Sequence, residues 1–118
     1  MSVPASPRER RAGDALGRVH VLVYASAPGG DARAVEDAYH KISRDLEGTP
    51  GLLGNVLLRS LADPGSFAVM SEWRDAAAFS DWERTASHRD TTAPLRPLQS
   101  ADAGAAATFG VYEVVAAY

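Results

Sequence analysis

The stretch GLLGNVLLRSLADPGSFAVMSEWRDAAAFSDW, residues 51–82, decides how this chain folds. Residues 51–61 are dense in Leu and Val. They end at Asp63-Pro64-Gly65-Ser66, where proline presets one backbone angle of a turn and glycine tolerates the next. Residues 67–73, FAVMSEW, then read as a second strand, so 51–73 is a hairpin. Asp75 can cap a helix whose apolar stripe is Ala78, Phe79, Trp82 and Ala86.

Working outward, residues 18–27, RVHVLVYASA, form a strand that stops at Pro28-Gly29-Gly30. Asp31 caps a helix carrying Val35, Ala38, Tyr39, Ile42 and Leu46 at helical spacing, and Gly48 and Pro50 end it. Pro94 and Pro97 break the chain after the second helix. Residues 101–108 read as a loop, and 108–118 close as a fourth strand. The order β-α-β-β-α-β predicts an α+β, ferredoxin-like domain over 18–118, with both helices on one face of an antiparallel sheet. Residues 1–17 are rich in Pro, Gly, Ser and Arg and read as a disordered tail. The strands are apolar on both sides, so the sheet face without helices calls for a partner. A second copy, giving a dimeric α+β barrel, is the simplest.

Composition narrows the function. The 118 residues carry a formal charge of −3. The basic excess sits in the first 18 residues, with four Arg against two acids, and leaves an acidic body that argues against nucleic acid. There is no cysteine, so thiolate catalysis, disulfides and thiolate metal sites are excluded. No apolar run reaches the roughly 20 residues of a membrane span, and no apolar leader opens the chain, so a cytoplasmic protein is expected. Three scattered histidines lack metal-ligand spacing, and no Gly-x-Gly-x-x-Gly or phosphate-loop pattern occurs.

The strand ending in Trp73, followed by Phe79, Trp82 and SHRDTTAPLRP (87–97), resembles the antibiotic biosynthesis monooxygenase family. So does the hairpin GTPGLLGNVLLRSLADPGSF (48–67). The likeness spans about residues 18–118. It implies a homodimer with one pocket per subunit, between sheet and helices. It also implies a small, cofactor-free oxygenase that converts anthrones and related polycyclic phenols of polyketide pathways into quinones. There the substrate loses a proton, its anion reduces O2, and the two radicals recombine. The protein supplies a dry aromatic cavity, groups that stabilise the anion, and a proton route.

Trp73 matches the family's pocket tryptophan. Family oxygenases often carry an asparagine near the end of strand one and another four residues before the tryptophan. Here those positions are Val23 and Val69, which cannot hydrogen-bond an oxyanion. Haem-degrading members carry an axial histidine after the second helix; Thr92 stands there, with His88 one turn earlier, which disfavours haem. A cyclase or isomerase on the same fold, and a non-catalytic binder of small aromatics, remain as alternatives.

Candidate catalytic residues are Trp73, His88, His20 and Tyr24. His88 is the best acid–base group, because imidazole moves a proton near neutral pH. His20 and Tyr24 share a face of strand one with Leu22. They reach the pocket if that face meets the helices and become interface residues if it meets a partner sheet. Phe67 and Val69 share Trp73's face by alternation. Val23, Phe79, Trp82, Asn55, Arg59 and Arg96 complete the candidate lining, although core packing alone would explain Trp73, Trp82 and Phe79. Arg59 can alternatively pair with Glu72 across the hairpin.

Overall fold

The computed structural model describes residues 14–85, 97–98 and 109–118. Its elements are β1 (Val19–Ser26), α1 (Ala32–Leu46), β2 (Leu52–Arg59), β3 (Ser66–Trp73), α2 (Ala76–Glu83) and β4 (Phe109–Glu113). The four strands form one sheet in the order β2-β3-β1-β4, with antiparallel neighbours throughout. This is the α+β, ferredoxin-like arrangement expected from the order of the elements.

Local chemistry sets the boundaries. The Asp31 side chain accepts from the Arg33 amide at 3.1 Å, and the Asp75 side chain accepts from the Ala78 amide at 2.8 Å. Each satisfies an amide that the first helical turn leaves without a partner. The hairpin closes through Asp63, whose carbonyl accepts from Ser66 N at 2.9 Å and whose carboxylate takes Gly65 N and the Ser66 hydroxyl. Those bonds hold the Asp63 carboxyl below its ordinary range. Gly65 does not take a positive φ here, so proline and the aspartate, rather than glycine's freedom, make this turn.

Two apolar clusters fill the space between the helices and one sheet face. In the first, Val35, Ala38, Ile42 and Leu46 of α1 meet Ala25, Phe67 and Val69. In the second, Ala78 and Phe79 of α2 meet Val19, Val21 and Trp73. Burying each large aliphatic side chain contributes about 1.5–3 kcal/mol, which is why a 3.6-residue stripe suffices to seat α1.

Two sequence-based boundaries change. β4 ends at Glu113 rather than at the last residue, because β1 begins at Val19 and offers no partner further on. Backbone pairing continues briefly, from Val114 N to Arg18 O at 2.8 Å and from Gly17 N to Val114 O at 3.0 Å. Gly17, read as the last residue of the tail, is therefore bonded beside the end of β4. Residues 1–13, with the rest of that tail, lie outside the described residues. Among the described residues, no helix is long and apolar enough to cross a membrane.

Candidate functional site

Strand register sorts the candidate residues onto two faces. Val19 pairs with Trp73, Val21 with Ser71, Val23 with Val69 and Ala25 with Phe67. Asn55 pairs with Ser71, Leu57 with Val69 and Arg59 with Phe67. On the far edge, Val111 faces Val21 and Phe109 faces Val23. Paired residues share a face. The helix-covered side thus holds Trp73, Val69, Phe67, Val23, Asn55, Arg59 and the unforeseen Ser71.

His20, Leu22 and Tyr24 fall on the opposite side with Met70, Glu72 and Tyr112, away from the helices. The structure therefore does not bring His20 or Tyr24 together with Trp73. The Tyr112 ring folds over Gly110, close enough that a Cβ there would sit 2.6 Å from it. Burial, and then the neighbouring Tyr112, push the Tyr24 phenol upward. A raised acid favours the folded state below its unfolded pKa, and that benefit fades as pH climbs through the raised value. Tyr24→Phe is expected to flatten the loss of stability above about pH 10, measured by urea unfolding across alkaline buffers.

Arg59 does not pair with Glu72, because the two lie on opposite faces. Arg59 is exposed, with its guanidinium 5.8 Å from the Phe67 ring centroid, and Arg18 takes Glu72 at 2.8 Å. His88 and Arg96 lie outside the described residues.

The aromatic cluster inverts the expected exposures. Trp73 is 1% exposed, held by Phe79 edge-on at 5.5 Å and by Trp82 at 5.2 Å. Its indole N–H donates to Ser71 Oγ at 2.9 Å, so its one donor is spent inside the strand. Trp73 is thus packed into the second cluster, with almost none of its surface exposed. Trp82 is half-buried and packs against both clusters, as do Val23 and Leu52. These three mark the seam between the two clusters.

Around that seam the covered face is incompletely closed. Val23, Asn55, Leu57 and Ser71 are all half-buried, while Phe67, Val69 and Phe79 are buried. Phe109 and Val111 continue the apolar surface onto β4, with 52% and 46% exposure. Exposed apolar area of this kind marks a place where something apolar docks. Val23 and Val69 sit directly opposite each other, so the two positions where the resembling oxygenases carry amides are neighbours here, and both are aliphatic.

Polar groups enter one step away. The Ser43 hydroxyl of α1 donates to Asn55 Oδ1 at 3.0 Å, and the Tyr39 hydroxyl donates to the Asn55 carbonyl at 3.2 Å. Residues four apart on a helix share a side, so α1 grips Asn55 twice. Ser71 escaped the sequence reading although it stands between Val69 and Trp73 on the same alternating face of FAVMSEW. That alternation was the signal that could have found it. Among the described residues, no group of three or more His, Asp or Glu is placed to hold a metal ion.

Comparisons with known proteins agree with this architecture. SnoaB, a cofactor-independent oxygenase from Streptomyces nogalater, superposes with TM-score 0.66 at 18% identity, over 83% of this chain and 93% of that one. A conserved protein from Methanosarcina mazei gives TM-score 0.68 at 10% identity, over 86% and 96%. Protein SchA of Streptomyces halstedii is 31% identical over 80 residues, which is 68% of this chain and 21% of SchA. A 42.8 kDa protein in the whiE locus of Streptomyces coelicolor is 33% identical over 78 residues, 66% of this chain and 20% of that protein. The chain thus spans about a fifth of each of these two relatives. The family model described as antibiotic biosynthesis monooxygenase matches residues 18–93, from the start of β1 past α2. The chain belongs to the antibiotic biosynthesis monooxygenase family.

Proposed function

We propose that this domain is a cofactor-independent monooxygenase that oxidises a polycyclic aromatic of the anthrone or phenol type to a quinone. The observation that carries this reading is the half-buried apolar surface of Trp82, Val23 and Leu57, beside the buried Trp73. Family membership and the fold shared with SnoaB support it.

The chemistry balances without a prosthetic group. An anthrone plus O2 gives the anthraquinone plus water. The substrate loses a C–H proton to a base, and its anion passes one electron to O2. The resulting radical and superoxide join as a peroxide, which eliminates water. The apolar walls would strip water from the reacting face, leaving the anion exposed to O2 rather than to protonation. His88 is carried forward as the candidate proton acceptor, because imidazole moves a proton near neutral pH.

The test is quinone formation from 1,8-dihydroxyanthrone by the purified protein with a chelator present. Quinone should appear faster than by spontaneous autoxidation, with one O2 consumed per quinone, and more slowly with His88→Ala. No acceleration over the protein-free rate would reject the oxygenase reading.

A second reading, a cyclase or isomerase that needs no O2, is favoured by the Val23–Val69 pair, which leaves two expected amide positions without donors. Product formed under argon would select it. Tight binding of the ring with no product would select a non-catalytic binder.

The domain is further proposed to pair with a second copy through the helix-free sheet face. That face presents Leu22, Met70 and Tyr24 beside Val56 and Leu58, which are 43% and 41% exposed. A charge on that apolar face would be buried against the second copy without a partner. Leu58→Glu is therefore expected to sediment as a monomer where the parent protein sediments as a dimer.

A further inference from the structure

We propose that Ser71 and Asn55 form the oxygen-anchoring pair of the site, two neutral donors that hold the phenolic or carbonyl oxygen of the bound aromatic. The inference rests on the reading of the site given above. It supplies what Val23 and Val69 lack.

Placement comes first. Asn55 and Ser71 are register partners on the helix-covered face. Their row runs Val111, Val21, Ser71, Asn55 across the sheet. One neighbouring row contains Glu113, Val19, Trp73 and Leu52, and the other contains Phe109, Val23, Val69 and Leu57. Two polar side chains thus sit together with Trp73, Leu52, Val69 and Leu57 as their neighbours in the adjoining rows, and both are half-buried, so a ligand in the seam can reach them.

Donor accounting comes second. The Ser71 oxygen already accepts the Trp73 indole N–H at 2.9 Å, so the hydrogen of its own hydroxyl is left to give. Asn55 has its side-chain oxygen held by Ser43 and its backbone carbonyl held by Tyr39. Both bonds occupy acceptors, which leaves the amide NH2, with two hydrogens, as its free end. Each side-chain oxygen of this pair already accepts one bond, and among the described residues none takes the hydrogens of either, so the pair is suited to an oxygen carrying lone pairs or negative charge. Neutral donors next to apolar walls hold a ring oxygen while admitting the rest of the ring. Ser43 then acts as a positioning residue, since its bond to Oδ1 fixes which end of the Asn55 amide faces the seam, while Tyr39 holds the backbone beneath it.

A purely structural role would tie α1 to β2 and discriminate between no ligands. The experiment is binding of 1,8-dihydroxyanthraquinone and of anthracene, which has the rings without the oxygens, followed by quenching of tryptophan fluorescence. Ser71→Ala and Asn55→Leu should each weaken quinone binding about tenfold and leave anthracene binding unchanged, because a site built to bond an oxygen loses only that bond. Ser71→Thr, which keeps the hydroxyl, should restore binding to within about twofold. Equal losses for both ligands, unchanged quinone affinity, or a parent protein that binds neither would overturn the proposal. The oxygenase reading fails separately. If the variants discriminate as expected while dihydroxyanthrone consumes no O2, the anchor stands and the oxygenase falls. If parent and variants consume O2 at equal rates, the anchor falls and the oxygenase stands.

Discussion

Trp73→Ala is expected to lower the unfolding free energy by about 3–5 kcal/mol, the range for emptying a buried aromatic site. Trp73 is the largest fully buried side chain, and its neighbours come from three directions. Val19 lies beside it on β1, Leu52 opposite on β2, and Phe79 and Trp82 across it on α2. Alanine leaves a void that sheet and helix cannot both close. It also frees Ser71 Oγ from the indole N–H. Against a total stability of about 5–15 kcal/mol, that is a large fraction. Urea unfolding read by far-UV circular dichroism measures it, and a loss below about 1 kcal/mol would mean that Trp73 is not the keystone of the second cluster.

The second large effect falls on a residue with no side chain. Gly51 has φ +81°, and a Cβ built there would lie 2.3 Å from Ala78 Cβ. Its carbonyl accepts from Arg74 N at 2.8 Å, which fastens the entry of β2 to the exit of β3 just before α2 begins. Gly51→Ala therefore combines left-handed strain with a collision against α2. The expected loss is about 2–4 kcal/mol. Gly54→Ala is the matched control: its φ is not positive, and a Cβ there meets nothing within 4 Å. Its effect should stay within about 0.5 kcal/mol. Equal losses at the two positions would refute the close approach of β2 and α2.

Most of the fold was legible because its signals are local. Asp31 and Asp75 cap helices where they were expected to, and the 63–66 turn closes the hairpin. The buried stripe of α1 contains four of the five residues read from its periodicity, with Tyr39 half-buried. The site was less legible, because the orientation of β1 depends on tertiary packing. Val19, Val21, Val23 and Ala25 alternate with His20, Leu22, Tyr24 and Ser26, and both sets include apolar residues, so composition alone does not say which set meets the helices. Once α1 and α2 cover the valine side, His20 and Tyr24 go to the other. The Arg59–Glu72 pairing failed for the same reason: residues an odd number of positions out of register point to opposite faces. The exposures of Trp73 and Trp82 were not readable either, since both are large rings near one strand–helix junction. Strand alternation turns Trp73 into the second cluster, whereas Trp82, at the last turn of α2, reaches the seam.

The central claim is that the helix-covered face, at the seam marked by Trp82 and Val23, receives a flat oxygen-bearing ring. A crystal structure of the protein with 1,8-dihydroxyanthraquinone tests it most directly. The account predicts the ring between Trp82 and the Val23–Leu57 surface, with an oxygen within hydrogen-bond distance of Ser71 Oγ or Asn55 Nδ2. A ring bound instead on the His20–Tyr24 face, or that seam found filled by protein with the ligand elsewhere, would contradict it.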